Sequence, residues 1–476
     1  MGARSSRHRA PTLTFLGAAG TVTGSMFLVD ADGQARAGEG TACRVLVECG
    51  LYQGERRWRE LNWRPAPVDP AGLDAVALTH AHLDHCGYLP ALVREGYRGP
   101  VLATSGTAEL AAVVLRDSAH LQEEEAEWAR NSGWSKHDPP LPLYTGEDAE
   151  RAVALLRPTD YDTTVPVSPD GTTRLRFVPA GHILGSSSVL LDSGASSVLF
   201  SGDLGRPTHP VLQPRARPPA ARTVVVESTY GDRTHPPVDP GHTVMAEAIR
   251  RTVARGGSVV IPAFAVDRTE VVLHALAELV ASGAVPDVPV WVDSPMALAA
   301  LRIYREASHT GEVRPEALEV LRGLRQLREA RTAEESIRLN TPGTPSIIVS
   351  ASGMATGGRV VHHLASLLPY ARNTVLLTGY QAVGTRGRSL LEGARELKIG
   401  GRYVRVRAEV VALEDLSVHA DADELLAWLH ELPEAPQTVH VVHGEPEAAR
   451  ALARRVRDEL DCAVSVARLG ERVLLD

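Results

Sequence analysis

The sequence predicts an α/β protein in which one layered domain is inserted into another. Apolar runs at 175–178, 197–200, 223–226 and 438–442 each end at a glycine or an acid–base residue. That pattern is typical of strands whose carboxyl ends meet at one edge of a sheet. Between 231 and 404, helical stretches alternate with apolar runs, which indicates a second, parallel sheet flanked by helices.

The composition fits this organisation. A chain of 476 residues indicates two or three domains, or one domain with a large insertion. Apolar residues make up 44% and aromatic residues only 4%, so the cores must rely on Val, Leu and Ala. The net charge of −8 argues against a protein that coats nucleic acid nonspecifically, although it leaves room for a local basic cleft.

The sequence also limits the cellular setting. The four cysteines show neither disulfide nor zinc-finger spacing. The first ten residues are basic and lack the apolar stretch of a secretory signal, and no apolar run has the length of a membrane span. We therefore expect a cytoplasmic protein that does not contact a membrane.

The first strands are predicted around 12–30, at 44–47 and at 73–79, with a hairpin tip at 31–42. Helical periodicity covers 107–130.

A cluster of histidines follows the apolar run 75–79. Within six positions stand His80, His82, Asp84 and His85. Neutral imidazole and carboxylate are preferred ligands of zinc and related divalent ions. Without a cation, each of these rings would need its own hydrogen-bond partner. The cluster therefore predicts a metal site.

Further candidate residues stand where other predicted strands end. They are Glu48, His182, Asp203, Glu227 and His443. Because such strand ends meet at one edge, we expect these side chains to converge. Lone histidines elsewhere, such as His209, His235 and His363, are expected to have structural or solvated roles.

The second domain is predicted from helices near 242–255, 267–282, 296–308 and 357–368, with apolar runs between them. The chain is accordingly divided into segments 1–230, 231–404 and 405–476, in which the first and last build one domain and the middle is the insertion.

These motifs resemble those of the metallo-β-lactamase fold, and the insertion resembles the β-CASP branch of nucleases. The likeness runs from about residue 12 to 476. It rests on His80-x-His82-x-Asp84-His85, on His182 and Asp203 as the third and fourth motifs, and on Glu227, His419 and His443 as the β-CASP motifs. The resemblance implies an αββα sandwich with an inserted β-CASP α/β domain.

The resemblance also implies a set of roles. His80, His82, His182 and Asp203 would hold one Zn²⁺, with Mn²⁺ as the alternative metal. Asp84, His85, Asp203 and His443 would hold a second, with Asp203 bridging. Two cations roughly 3.5–4 Å apart suit in-line displacement at phosphorus. Asp84, Glu227 and His419 are the expected catalytic residues: His419 would protonate the departing oxygen, and Glu227 would orient His419.

The chain departs from the family at Glu48, where the family usually has Asp as a partner of a ligand histidine. The extra methylene either shifts the ring, which commonly costs about 10–100-fold in metal affinity or activity, or is accommodated by backbone movement. The sequence leaves both alternatives open.

Substrate contacts are predicted at three places. The turn with Ser352, Gly353 and Met354 follows a strand, opens a helix and matches a family motif facing the cleft, where its amides would meet an anion. Arg268 follows another family turn. Arg386 and Arg388 begin the most basic segment, 386–407, for which phosphate contact and a solvated surface are both open.

The resemblance implies a zinc-dependent ribonuclease that cleaves single-stranded RNA, mainly endonucleolytically and with 5′-to-3′ exonuclease activity in addition. A homodimer is the expected assembly. The alternatives are a DNA-processing β-CASP nuclease, a thioesterase or lactamase type of hydrolase, and a non-catalytic scaffold. RNA is favoured because Ser417-x-His419-Ala420-Asp421 has the form typical of the RNA group.

Overall fold

The computed structural model describes residues 10–31, 43–132, 139–194, 196–237, 239–307, 310–413 and 415–475. Residues 32–42 of the predicted hairpin tip lie outside this part of the chain.

The first sheet combines both ends of the chain. Its strands are β1 (Thr12–Phe15), β2 (Phe27–Ala31), β3 (Cys43–Val47), β4 (Ala75–Ala77), β5 (Val101–Ala103), β6 (Leu156–Pro158) and β22 (Arg472–Leu474). Their spatial order is β22-β1-β2-β3-β4-β5-β6. Strands β3 to β6 are parallel, so their carboxyl ends share one edge.

The second sheet faces the first. It contains β7 (Val165–Pro166), β8 (Arg174–Pro179), β9 (Ser187–Asp192), β10 (Ser197–Phe200), β11 (Thr223–Val226), β20 (Thr438–Val441) and β21 (Ala463–Val466), in the order β21-β20-β11-β10-β9-β8-β7. Strands β11 and β20 are parallel neighbours, although more than two hundred residues separate them in the sequence. The insertion therefore leaves and rejoins the sheet at adjacent strands.

Apolar side chains fill the space between the two sheets. Phe15, Phe27, Phe177 and Phe200 are buried there, and the rings of Phe27 and Phe200 stack with centroids 5.6 Å apart. Successive side chains along a strand point to opposite faces, so Val45 and Val47 join this core while Leu46 packs in the cluster on the other face.

Helices cover the outer faces of both sheets. Along the first part of the chain lie α1 (Arg56–Arg59), α2 (Leu83–Cys86), α3 (Leu89–Arg94), α4 (Ser105–Ser132) and α5 (Gly146–Val153), with 3₁₀ turns at Glu60–Trp63 and Pro70–Gly72. Helices α13 (Ala422–His430) and α14 (Pro446–Glu459) pack on the second sheet around the buried Trp428. The predicted αββα sandwich is confirmed.

The insertion forms a parallel six-stranded sheet. Its strands are β12 (Val259–Pro262), β13 (Val290–Val292), β14 (Leu327–Glu329), β15 (Ile347–Ser350), β16 (Thr374–Leu377) and β19 (Glu409–Ala412), in the order β14-β13-β15-β12-β16-β19. Because β19 pairs with β16, this sheet continues past residue 404, where the sequence suggested the insertion to end. The three-segment division itself stays a prediction.

Helices flank this sheet too. They are α6 (Thr243–Ala254), α7 (Arg268–Ala281), α8 (Pro295–Glu306), α9 (Pro315–Gly323), α10 (Ala333–Arg338), α11 (Arg359–Leu367) and α12 (Arg386–Leu391). The antiparallel pair β17 (Glu396–Ile399) and β18 (Arg402–Arg405) follows. None of the helices in the described ranges is both long and apolar enough to cross a membrane.

Candidate metal centre

The predicted ligands meet at one edge of the sandwich. His80 and His82 lie in the loop after β4, and Asp84 and His85 lie on the short helix α2. Loops after β8, β10 and β20 bring His182, Asp203 and His443 to the same place. The fold therefore brings together all seven residues that were predicted from four separate motifs.

The first group consists of His80, His82, His182 and Asp203. Asp203 Oδ2 lies 3.7 Å from His80 Nε2 and 3.8 Å from His182 Nε2. His82 Nδ1 lies 3.2 Å from His80 Nε2 and 3.4 Å from His182 Nε2. Most of these separations exceed a normal hydrogen bond. They approach the edge of a tetrahedron of ligands around zinc, about 3.3 Å for bonds of roughly 2.0–2.1 Å.

The second group consists of Asp84, His85 and His443. His443 Nε2 lies 3.5 Å from Asp84 Oδ2, and His85 Nε2 lies 3.8 Å from the same oxygen. Asp203 Oδ2 is 3.5 Å from His85 Nε2 as well. Asp203 Oδ2 thus faces histidines of both groups.

Unpaired polar atoms show that these residues fit a metal ion. Among the residues that the structure describes, His85 Nε2, His443 Nε2 and Asp203 Oδ1 are buried without a hydrogen-bond partner. Buried polar atoms without partners are rare and costly. A divalent cation would satisfy them, because these nitrogen and oxygen atoms are its preferred donors.

The protonation of the first group also suits a cation. Burial lowers the pKa of His82 to about 4 and the pKa values of His80 and His182 well below the ordinary range. Burial opposes ionisation of Asp203, but its histidine neighbours outweigh burial, and its pKa lies well below the usual value. At neutral pH the group offers neutral imidazoles and a carboxylate, which are the forms that bind metal.

Glu48 contacts the ligands from behind. Its Oε1 accepts a hydrogen bond from His85 Nδ1 at 2.7 Å and another from the Thr79 hydroxyl. Thr79 Oγ1 in turn lies 2.9 Å from His80 Nδ1. With Nδ1 engaged on both rings, Nε2 is left to face the centre.

His419 and Glu227 stand beside this cluster. His419 Nδ1 lies 3.8 Å from Glu227 Oε1 and 3.8 Å from Asp203 Oδ2, distances of ion-pair contact and not of hydrogen bonds. Backbone amides of Leu204 and Thr229 donate to Glu227, at 2.7 and 3.3 Å. The buried carboxylate is thereby held in place next to the imidazole.

A cavity of about 480 Å³ lies over the cluster. One wall comes from the insertion and includes Arg268, Ser352, Met354 and Tyr380. Gly353 lies behind this wall: a Cβ there would come within 2.6 Å of the Phe264 ring, so only glycine fits. The predicted turn therefore does face the candidate metal centre.

The three predicted arginines differ. Arg268 is buried in the cavity wall, and its Nε and Nη1 have no hydrogen-bond partner within the described chain. Arg386 instead donates to the backbone carbonyls of Thr356 and Lys398, at 2.9 and 3.0 Å, and Arg388 pairs with Glu392 at 2.6 Å. Only Arg268 of the three lines the cavity with free donors.

Some site residues were not singled out from the sequence. Thr79 links Glu48 to His80, and Thr229 Oγ1 lies 3.1 Å from His443 Nδ1. Trp58 and Arg57 also line the cavity. Thr79 directly precedes the ligand His80, and Thr229 lies two residues after Glu227. This adjacency to the motifs is the sequence signal that could have identified the two threonines.

Taken together, a two-sheet sandwich, a His/Asp ligand set at its edge and an inserted α/β domain define a metallo-hydrolase. Family models agree along the chain: a beta-lactamase superfamily domain matches 43–263, a Beta-Casp domain 269–390, and a Zn-dependent metallo-hydrolase RNA specificity domain 403–467. The chain belongs to the β-CASP family of metallo-β-lactamase-fold hydrolases.

Curated relatives support this assignment. Ribonuclease TTHA0252 of Thermus thermophilus is 37% identical over 463 residues, which cover 96% of this chain and 98% of that protein. Transcription termination factor FttA of Methanocaldococcus jannaschii is 31% identical, and the match covers 87% of this chain but 65% of FttA. An RNase J-like protein of the same archaeon is 30% identical, with 84% and 87% covered.

A solved structure shares the fold. It is a protein of unknown function from Enterococcus faecalis V583, with a TM-score of 0.52 and 14% identity, and the match covers 98% of this chain and all of that one. At this identity the likeness concerns the fold alone.

Proposed function

We propose that this protein is a zinc-dependent ribonuclease that hydrolyses phosphodiester bonds of single-stranded RNA. The cut is mainly endonucleolytic, with 5′-to-3′ exonuclease activity in addition, and leaves a 3′-hydroxyl and a 5′-phosphate. Two Zn²⁺ per chain are the proposed cofactors, with Mn²⁺ as the alternative. The match to an RNA specificity domain and the relative named a ribonuclease support RNA as substrate.

One observation carries the proposal. The cavity has a His/Asp ligand cluster on its floor and, on the wall contributed by the insertion, a buried guanidinium with unpaired donors. A buried guanidinium whose Nε and Nη1 lack hydrogen-bond partners is costly to the fold. Arg268 therefore has the properties of a group kept for an anionic ligand, and a phosphodiester provides that anion beside the cluster.

The reaction assigns distinct tasks to the chain. Bound zinc ions would supply Lewis acidity and lower the pKa of water at the site. Arg268 binds a phosphate oxygen and so holds the RNA backbone. His419 delivers a proton to the departing oxygen, and Glu227, 3.8 Å from His419 Nδ1, orients the imidazole for this step.

The inserted domain and the assembled ligands help to weigh the alternative functions. A thioesterase or lactamase acts on a small molecule and has no need of a second domain over the metals, whereas here the insertion builds one cavity wall. A DNA-processing nuclease shares the same ligands, so substrate tests must distinguish RNA from DNA. A scaffold protein is disfavoured, since the complete ligand set is assembled.

The test uses the purified protein loaded with zinc. End-labelled single-stranded RNA, DNA of the same sequence and a thioester are incubated with the wild type and with Asp84→Ala. We expect RNA cleavage by the wild type alone, and the 5′- and 3′-label patterns separate endonuclease from exonuclease attack. Cleavage of DNA or thioester in preference to RNA would overturn the proposal.

Size measurement by light scattering tests the predicted homodimer, and cell fractionation tests the predicted cytoplasmic location.

A further inference from the structure

The loop that carries His182 depends on the inserted domain for its backbone hydrogen bonds. Within this loop, Leu184 N–H donates to the Tyr304 hydroxyl at 2.9 Å, and Gly185 N–H donates to Glu312 Oε2 at 2.8 Å. Tyr304 lies on α8 of the insertion, and Glu312 follows that helix. Two donors beside a predicted metal ligand are therefore satisfied from another domain.

The rest of the loop is held by the sandwich domain. Ser186 Oγ accepts from His182 N–H at 2.8 Å, and the hydroxyls of Thr104 and Thr107 donate to the carbonyl of Gly185. Gly185 has a φ of +79°, and a Cβ there would overlap the backbone of Thr107. A loop so closely packed has one arrangement, and the insertion supplies part of what defines it.

The Tyr304 hydroxyl connects this loop to a second buried group. It donates to Asp267 Oδ1 at 2.9 Å, and Asp267 Oδ2 lies 3.1 Å from His209 Nε2. The amides of Val211 and Leu212 donate to His209 Nδ1, so the proton of His209 is on Nε2 and points at Asp267. The side chains of Tyr304, Asp267 and His209 are almost completely buried.

Asp267 also adjoins the substrate side of the cavity. It directly precedes Arg268 and has a φ of +68°, in the left-handed region that non-glycine residues rarely occupy. Its two carboxylate bonds stabilise that backbone conformation. A continuous set of contacts thus runs from Arg268 through Asp267 and Tyr304 to the loop of His182.

We propose that Tyr304 and Glu312 are positioning residues for the metal centre. They hold the backbone at Leu184 and Gly185 so that the His182 ring stands in place as a ligand. Through Asp267, the same contacts fix Arg268 on the cavity wall. The part that concerns Arg268 and RNA rests on the proposed function; the part that concerns His182 and the metal does not.

The decisive variant is Tyr304→Phe, which removes one hydroxyl and keeps the ring. Tyr144→Phe is the matched control, because Tyr144 is also fully buried and its hydroxyl bonds to Ser118 at 2.7 Å, within the sandwich domain. Zinc affinity is measured by chelator competition, and the visible absorption of the Co²⁺-loaded protein reports ligand geometry. Neither measurement requires RNA.

We expect Tyr304→Phe to weaken zinc binding about 10-fold or more, as is common for residues that orient ligands, and to change the Co²⁺ spectrum. Tyr144→Phe should leave both unchanged, even if both variants lose similar thermal stability. Equal zinc affinity and equal spectra for the two variants would overturn the proposal.

A second pair of variants keeps the test decisive if Tyr304→Phe fails to fold. Glu312→Ala removes the acceptor of Gly185 N–H, whereas Glu312→Gln retains an oxygen there. We expect weaker zinc binding in Glu312→Ala and recovery in Glu312→Gln; no loss in Glu312→Ala would contradict the proposal. If the wild type binds zinc but does not cleave RNA, the proposed function fails while these metal measurements still decide the positioning role.

Discussion

Glu48 Oε1 accepts a hydrogen bond from His85 Nδ1 at 2.7 Å. The same oxygen accepts from Thr79, whose hydroxyl oxygen lies 2.9 Å from His80 Nδ1. One buried carboxylate therefore orients a histidine of each ligand group. The backbone of Glu48 has a φ of +64°, in the left-handed region. The sequence left open whether the longer side chain shifts the ring or is accommodated by the backbone, and this φ concerns the second alternative.

Glu48→Gln should weaken zinc binding by about 10–100-fold, because the charge that supports both imidazoles is lost. Glu48→Asp shortens the side chain by one methylene, and we expect an intermediate loss. Chelator competition measures both affinities. Glu150→Gln, which removes the charge of an exposed ion pair with Arg116, is the control and should bind zinc as the wild type does. Full zinc affinity in Glu48→Gln would show that Glu48 does not orient the ligands.

Arg268→Met should separate stability from substrate binding. The substitution removes a buried guanidinium with two nitrogens that have no hydrogen-bond partner, so the free energy of unfolding should stay level or rise. The KM for RNA should rise about 10-fold or more, and the slope of log affinity against log salt should become shallower by about one. Urea unfolding and steady-state kinetics at several salt concentrations measure these quantities.

Arg388→Met is the matched control for Arg268→Met, because Arg388 pairs with Glu392 on α12 and does not line the cavity. Its KM should change little. If both variants raised KM equally, general electrostatic attraction and not a cavity contact would explain the effect.

His419→Ala should keep its zinc and lose about 10²–10⁴-fold in kcat, the usual contribution of a general acid. Glu227→Gln should also lower kcat, because the Glu227 carboxylate lies 3.8 Å from His419 Nδ1 and is proposed to orient that ring. Metal analysis accompanies the kinetics. A His419→Ala protein with full kcat and full zinc would remove His419 from the mechanism.

Asp117→Asn should stabilise the protein above about pH 6. Burial raises the pKa of Asp117 to about 6, from an ordinary value near 4. The native state thus retains a proton that the unfolded chain has lost, and stability falls as pH rises through this window. Asn does not ionise, so at pH 7.5 the variant should gain roughly 1–3 kcal/mol.

The advantage of Asp117→Asn should shrink at pH 5 and vanish below about pH 4, where the native and unfolded carboxyl groups are both protonated. Urea unfolding at several pH values measures it. Asp458→Asn, on the exposed face of α14, is the control and should show no such pH dependence. A constant difference across pH would contradict the shifted pKa.

Much of the fold was predictable because its signals are local. The apolar runs at 197–200 and 223–226 and the helical stretch at 107–130 match β10, β11 and α4 closely. The position of β19 was not predictable, since nothing in Glu409–Ala412 shows that it pairs with β16 across the chain. Pairing between distant strands depends on how the complete sheet packs.

The candidate site was likewise predictable only where its signals are local. His80, His82, Asp84 and His85 stand close together in the sequence, and donor types alone predict a metal ligand set. The partners of Arg386 and Arg388 could not be read from a basic segment, because arginine composition is the same whether a guanidinium meets phosphate, carbonyl or carboxylate.

The sequence by itself determined the class of fold, the ligand types and the presence of an insertion, since hydrophobic period and donor chemistry are properties of the residues. Only the tertiary structure decided that Arg268 is buried with two unpaired nitrogens while Arg386 donates to backbone carbonyls, and that Leu184 of the His182 loop donates to Tyr304 of the insertion. Those facts depend on which distant groups meet in space, and no local pattern encodes such meetings.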